Sequence, residues 1–144
     1  MVHALDALKE AWRNLVPDGI LVDIIPYNPE LPLEIVTDQQ CWSAGALDSS
    51  VSLGRSLAAQ EALEQMVDEG WFSRERETTF PTYRYWDTVD EMETYYAEDD
   101  SSVVLPGGVL AEARRLVEQS ARAAKPRVQR TMIIGRYRKL ARSY

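Results

Sequence analysis

The 144-residue sequence holds few side chains of the kinds that do chemistry: one histidine, His3, and one cysteine, Cys41. Without a second histidine, Cys41 has no base to raise its thiolate content, so it reads as a small core-filling strand residue rather than a nucleophile. His3 sits at the start of the sequence, where solvent exposure is the simpler role. Ser101, Ser102 and the acids before them form no triad with a single histidine. No phosphate-binding glycine loop, metalloprotease helix or cysteine pair occurs. No catalytic residue and no metal ligand is therefore assigned. The aromatic residues are more suggestive. Tyr27 follows the end of an apolar run, where open α/β sheets place ligands. Trp42, Tyr83, Tyr85 and Trp86 are further candidates for lining a small-molecule pocket, with core packing as the competing role.

The elements that must position these residues follow from periodicity and turn chemistry. Residues 4–16 place Leu5, Leu8, Trp12 and Leu15 at helical spacing. Pro17-Asp18-Gly19 then stops the helix, with glycine expected to supply a positive φ. Ile20 to Ile25 is a nearly continuous apolar strand, the pattern of a parallel sheet covered on both faces. Asp23 breaks it, either as a buried carboxylate with a partner or as a residue on a lateral edge. Two short strands, 33–36 and 41–45, flank the polar turn Thr37 to Gln40 as a β-hairpin. A helix over 53–67 carries Leu57, Leu63, Met66 and Val67 as anchors and ends at Gly70. Residues 71–86 predict a long, partly exposed strand interrupted near Pro81. Asp87-Thr88-x-x-Glu91 resembles a capping box opening a short helix. An amphipathic helix over 109–124 and a strand over 128–137 complete the chain. No linker or repeat divides it, so residues 1–144 read as one α/β domain.

Hydrophobic residues make up 45% of the chain and charged residues 27%, as in ordinary globular domains. No apolar run reaches the ~20 residues of a membrane span, and no signal pattern opens the chain. A cytoplasmic protein with no membrane partner is expected. The net charge of −7 conceals a division: residues 114–144 hold ten basic side chains against one acid. This basic end, including Arg122, Lys125, Arg127, Arg130, Arg136, Arg138 and Lys139, is either a nucleic-acid patch or a segment facing the acidic remainder. The acidic body makes nucleic acid the less expected partner.

The stretch Leu8 to Val22, "LKEAWRNLVPDGILV", resembles the helix–PGG–strand phrase that leads into the fifth strand of class I, Rossmann-like S-adenosylmethionine-dependent methyltransferases. Asn14 stands where valine is usual, and Asp18 replaces the first glycine of the pair. "EGWF" (69–72) and "YWDTVDEM" (85–92) are similar to the sixth-strand region of such enzymes. "RTMIIGRYRK" (130–139) is similar to their last strand, which enters the sheet antiparallel. The resemblance implies a partial Rossmann-like methyltransferase sheet, fifth to seventh strands, with an inserted β-hairpin and flanking helices. It also implies that Tyr27, Trp42, Tyr83, Tyr85 and Trp86 share a substrate pocket.

The family's glycine-rich turn and ribose-binding acid have no counterpart here, and Gly107-Gly108 lacks the spacing of such a turn. The resemblance therefore implies no independent cofactor site, with S-adenosylmethionine bound only if a partner completes the fold. A half-sheet would leave Trp12, Ile20, Val22 and Ile24 at an open surface. The expected function is thus a methyltransferase-like domain working through protein association, as a homodimer. The alternative is the C-terminal part of a split or truncated methyltransferase needing its other half. A nucleic-acid-binding accessory protein using the basic end is the third reading.

Overall fold

The structure, a computed structural model, describes residues 2–98 and 102–142; Ser101 and the side chain of His3 lie outside that set. The elements in chain order are α1 (Val2–Asn14), β1 (Ile20–Pro26), β2 (Glu30–Val36), β3 (Cys41–Asp48), α2 (Ser50–Asp68), β4 (Phe72–Tyr85), α3 (Val89–Glu98), α4 (Gly107–Gln119) and β5 (Lys125–Lys139). Their order matches the sequence reading, but the sheet is five-stranded with antiparallel pairing, not the parallel pairing expected of a Rossmann-like sheet. β5 is the hub. Its second half pairs with β1, from Ile20 opposite Arg138 to Pro26 opposite Met132. Its first half pairs with β2, from Leu33 opposite Val128 to Val36 opposite Lys125. The Tyr27 N–H donates to the Thr131 carbonyl at 2.9 Å and continues the ladder between the two stretches. β4 also pairs with β5. A parallel sheet needs a long crossover between neighbours, whereas β2 and β3 are joined by a four-residue turn, which gives an antiparallel hairpin.

Two compact units, each with its own core, share this chain, and no linker separates them in sequence. The hairpin unit comprises Tyr27–Leu53 and Pro81–Thr131. Leu31, Leu33, Ile35 and Leu47 of the hairpin meet Met92 and Tyr96 of α3, Leu110 and Ala113 of α4, and Val128 of β5. A bulge re-phases the hairpin: Leu33 pairs with Gly45 and Glu34 with Ser43, leaving Ala44 as the extra residue. Trp42 lies opposite Ile35 and Leu47 opposite Leu31, so residues five apart share the inner face. Gly45 has φ +118, and a Cβ there would lie 2.9 Å from Val109 Cγ2, so both conformation and space require glycine. α3 opens with reciprocal capping: the Glu91 N–H donates to Thr88 Oγ1, and the Asp87 N–H donates to the Glu91 carboxylate.

The α1 unit comprises Met1–Pro26, Gly54–Phe80 and Met132–Tyr144. Its core is Trp12, Leu63, Met66, Phe72 and Tyr137. Trp12 stands edge-on to Trp71 at 5.0 Å, and its indole N–H donates to the Leu140 carbonyl. α2 ends in a Schellman motif at Gly70 (φ +82), whose N–H donates to Val67 while that of Trp71 donates to Met66.

Four local expectations are corrected. Asp18, not Gly19, takes the positive φ of the first turn, at 62°. Gly19 serves close approach instead: a Cβ there would lie 2.7 Å from the Val16 carbonyl oxygen. Leu57 is about half exposed, and the anchors of α2 are Leu63 and Met66, with Val67 packed beside them. β4 runs unbroken through Pro81, because it neighbours β5 alone and an edge strand tolerates a missing N–H. α4 stops at Gln119, where the Ser120 N–H turns back to Val117.

Candidate functional site

β4 and the start of β5 alternate side chains between two faces, and each face of the hairpin unit carries a separate arrangement. On the outer face Arg127 lies over the rings of Tyr83 and Tyr85, 4.8 and 5.9 Å from their centroids. Its guanidinium binds Glu34 Oε1 at 2.9 Å. The Cys41 thiol donates to Glu34 Oε2 at 2.9 Å. That thiol bond, followed by Arg127, holds the Glu34 carboxyl below its ordinary range. Burial and then the Glu34 carboxylate push the Cys41 thiol up. A thiol held protonated beside a carboxylate is a poor nucleophile. Cys41 is exposed on this face and does not fill the core.

A different arrangement forms where residues 82–84 of β4, residues 128–130 of β5 and α3 meet. Thr82, Tyr83, Arg84, Tyr95, Tyr96 and Arg130 line a cavity of about 190 Å³. Thr82 Oγ1 donates to the Arg130 carbonyl at 2.8 Å and fixes the wall between the two strands. Arg84 lies over the Tyr95 ring, 4.7 Å from its centroid. Tyr95 and Tyr96 stand edge to face at 5.0 Å, and Trp86 braces both at 5.5 Å.

The five aromatic residues expected to share one pocket are thus distributed. Tyr83 and Tyr85 both lie on the outer face under Arg127, and Tyr83 also borders this cavity. Trp86 packs behind Tyr95 and Tyr96, and Trp42 packs toward the core beside Leu116 of α4. Tyr27 is exposed. Alternation along β4 separates Tyr85 from Arg84, and the hairpin bulge turns Trp42 inward. Arg84 and Arg130 were missed as a pair, although adjacent tyrosines at 95 and 96 beside two strands were a usable signal.

In the α1 unit, β1 has a covered face and an open one. Ile25 is buried and Leu21 packs on the core around Trp12, whereas Val22 and Ile24 are 53% and 51% exposed. Ile20 shares the open face by alternation. Trp12 is buried and belongs to the core rather than to a docking surface. Asp23 points to the covered side, opposite Gly135, with no hydrogen bond or ion pair among the described residues, and burial raises its carboxyl pKa.

Much of the basic end faces carboxylates: Arg122 binds Asp38, Lys125 binds Asp87, Arg127 binds Glu34, and Arg136 and Arg138 share Glu75. Among the described residues no group of His, Cys, Asp and Glu is placed to hold a metal ion. No helix there is long and apolar enough to cross a membrane. No protein-family model matches the chain, and no curated protein matches it.

Proposed function

We propose that this chain is a methyltransferase-like α/β domain that works through protein association, with the open face of β1 docking a second copy. The observation that carries the reading is the half-exposed pair Val22 and Ile24 on a strand whose other face buries Ile25 and packs Leu21 on the core. Exposed apolar side chains side by side on one strand face are a docking feature. Asp23 bears on how copies meet. A carboxylate turned inward on an edge strand opposes strand-to-strand extension, so docking through the face is favoured over a continuous sheet. Charge bears on where. The α1 unit has ten acidic and nine basic residues, so copies of a chain carrying −7 repel least through it. Beside the strip, Glu75 pairs with both Arg136 and Arg138 and offsets half of their charge.

Sedimentation and light scattering test this. Wild-type protein is expected as a dimer, and Val22→Lys/Ile24→Lys as a monomer with an unchanged circular dichroism spectrum. A wild-type monomer at every concentration defeats the reading.

A second reading makes the chain the C-terminal part of an S-adenosylmethionine-dependent methyltransferase that needs a cofactor-binding half in trans. The antiparallel entry of β5 beside β1 supports it, since the resembled family gives its last strand that direction. Calorimetric titration with S-adenosylmethionine discriminates. Heat from the chain alone contradicts the need for another half, and heat only after mixing with such a half establishes it.

A further inference from the structure

We propose that the cavity lined by Arg84, Arg130, Tyr95 and Thr82 binds a phosphoryl group. The hairpin unit has thirteen acidic and seven basic residues, an excess that leaves carboxylates available to every cation. Five of the seven bases take one. Arg114, Arg122, Lys125 and Arg127 meet carboxylates between 2.8 and 3.1 Å, and Arg115 pairs with Glu112. The two that take none among the described residues are Arg84 and Arg130, and both line the same cavity. Two arginines without a carboxylate among the described residues border one hollow, and their like charges add a mutual repulsion. A dianion between them removes it.

The chemistry of the walls fits. Arginine presents planar donors that match phosphoryl oxygens, and stacking on Tyr95 orients the Arg84 fork. Thr82 spends its hydroxyl proton on the Arg130 carbonyl and fixes that strand position. About 190 Å³ holds a phosphate with room for a small organic substituent. The site is independent of β1, and neither the docking face nor methyl transfer is needed for it.

The test is an amide-resolved NMR titration of the full chain with inorganic phosphate, glycerol phosphate and, as monoanion control, acetate at matched ionic strength. Saturable shifts confined to residues around 82–84, 95–96 and 128–130 are expected with both phosphates and not with acetate. Equal affinity for the two phosphates identifies free phosphate as the ligand form. Tighter glycerol phosphate identifies a phosphomonoester. Loss of one charge-assisted contact in Arg130→Gln should weaken binding about tenfold. The exposed Arg84→Gln keeps the test valid if the first variant misfolds, and should do the same. Arg76→Gln, an exposed β4 cation without a carboxylate partner among the described residues, should change nothing. Non-saturating shifts, an acetate response equal to phosphate, or unchanged binding in both cavity variants overturns the proposal.

Discussion

The hairpin unit and the α1 unit reach opposite balances of burial and charge. Among the described residues the first gathers twelve buried side chains into one cluster, under the roof of α3 and α4. The second gathers five, with Val22 and Ile24 left in solvent on the opposite side of β1. Charge runs the other way: the well-filled unit holds nearly all the net negative charge, and the sparsely filled one is close to neutral. A unit that seals its core can carry surface charge and a cavity open to solvent. A one-sided unit keeps an apolar face, and near-neutrality lets that face approach another protein.

The largest expected effect lies in the sealed core. Met92 is fully buried, so Met92→Ala should cost about 3 kcal/mol in urea denaturation. Ile24→Ala, on the open face, should cost under about 1 kcal/mol in the monomer while weakening self-association. Equal losses would erase the distinction between the units.

A smaller effect tests packing inside the α1 unit, on its own stretch of β5. A Cβ on Gly135 would lie 2.8 Å from Tyr137 Cε2, because that ring folds back over the glycine. Gly135→Ala should cost about 2 kcal/mol by overpacking and much less in a Tyr137→Ala background. Additive losses in the double-mutant cycle would show that the ring does not cover Gly135.

The smallest effects are electrostatic and opposite in sign. Glu34 of the hairpin unit has a lowered pKa, so its contribution is present above the ordinary glutamate range and lost as pH falls through its folded value. Glu34→Gln should therefore flatten the acid limb of the stability profile. Asp23 of the α1 unit has a raised pKa, so its ionisation costs stability as pH rises through its folded value. Asp23→Asn should melt slightly higher at neutral pH and match wild type in acid. Melting curves across the carboxylate range check both, and parallel profiles would remove the contrast.

Element type and order were legible in the sequence because each rests on a local signal. Helical spacing of Leu5, Leu8 and Trp12 marked α1. Thr88 and Glu91 marked the start of α3, and Gly70 the end of α2. The α/β class followed from the alternation of these elements. What local signals could not carry was which faces meet. Ile20 to Ile25 looks covered on both sides because composition records apolarity, not neighbours, and only tertiary pairing shows one side open. Trp42 and Leu47 share a face only because Ala44 and Gly45 form a bulge, which needs a partner strand to exist. Arg84 and Arg130 lie far apart in sequence and converge only when β4, β5 and α3 assemble. The sequence determined the elements, since their hydrogen bonds and caps are near neighbours along the chain. Tertiary structure decided the cavity and the open face, since both depend on long-range pairing that no short stretch encodes.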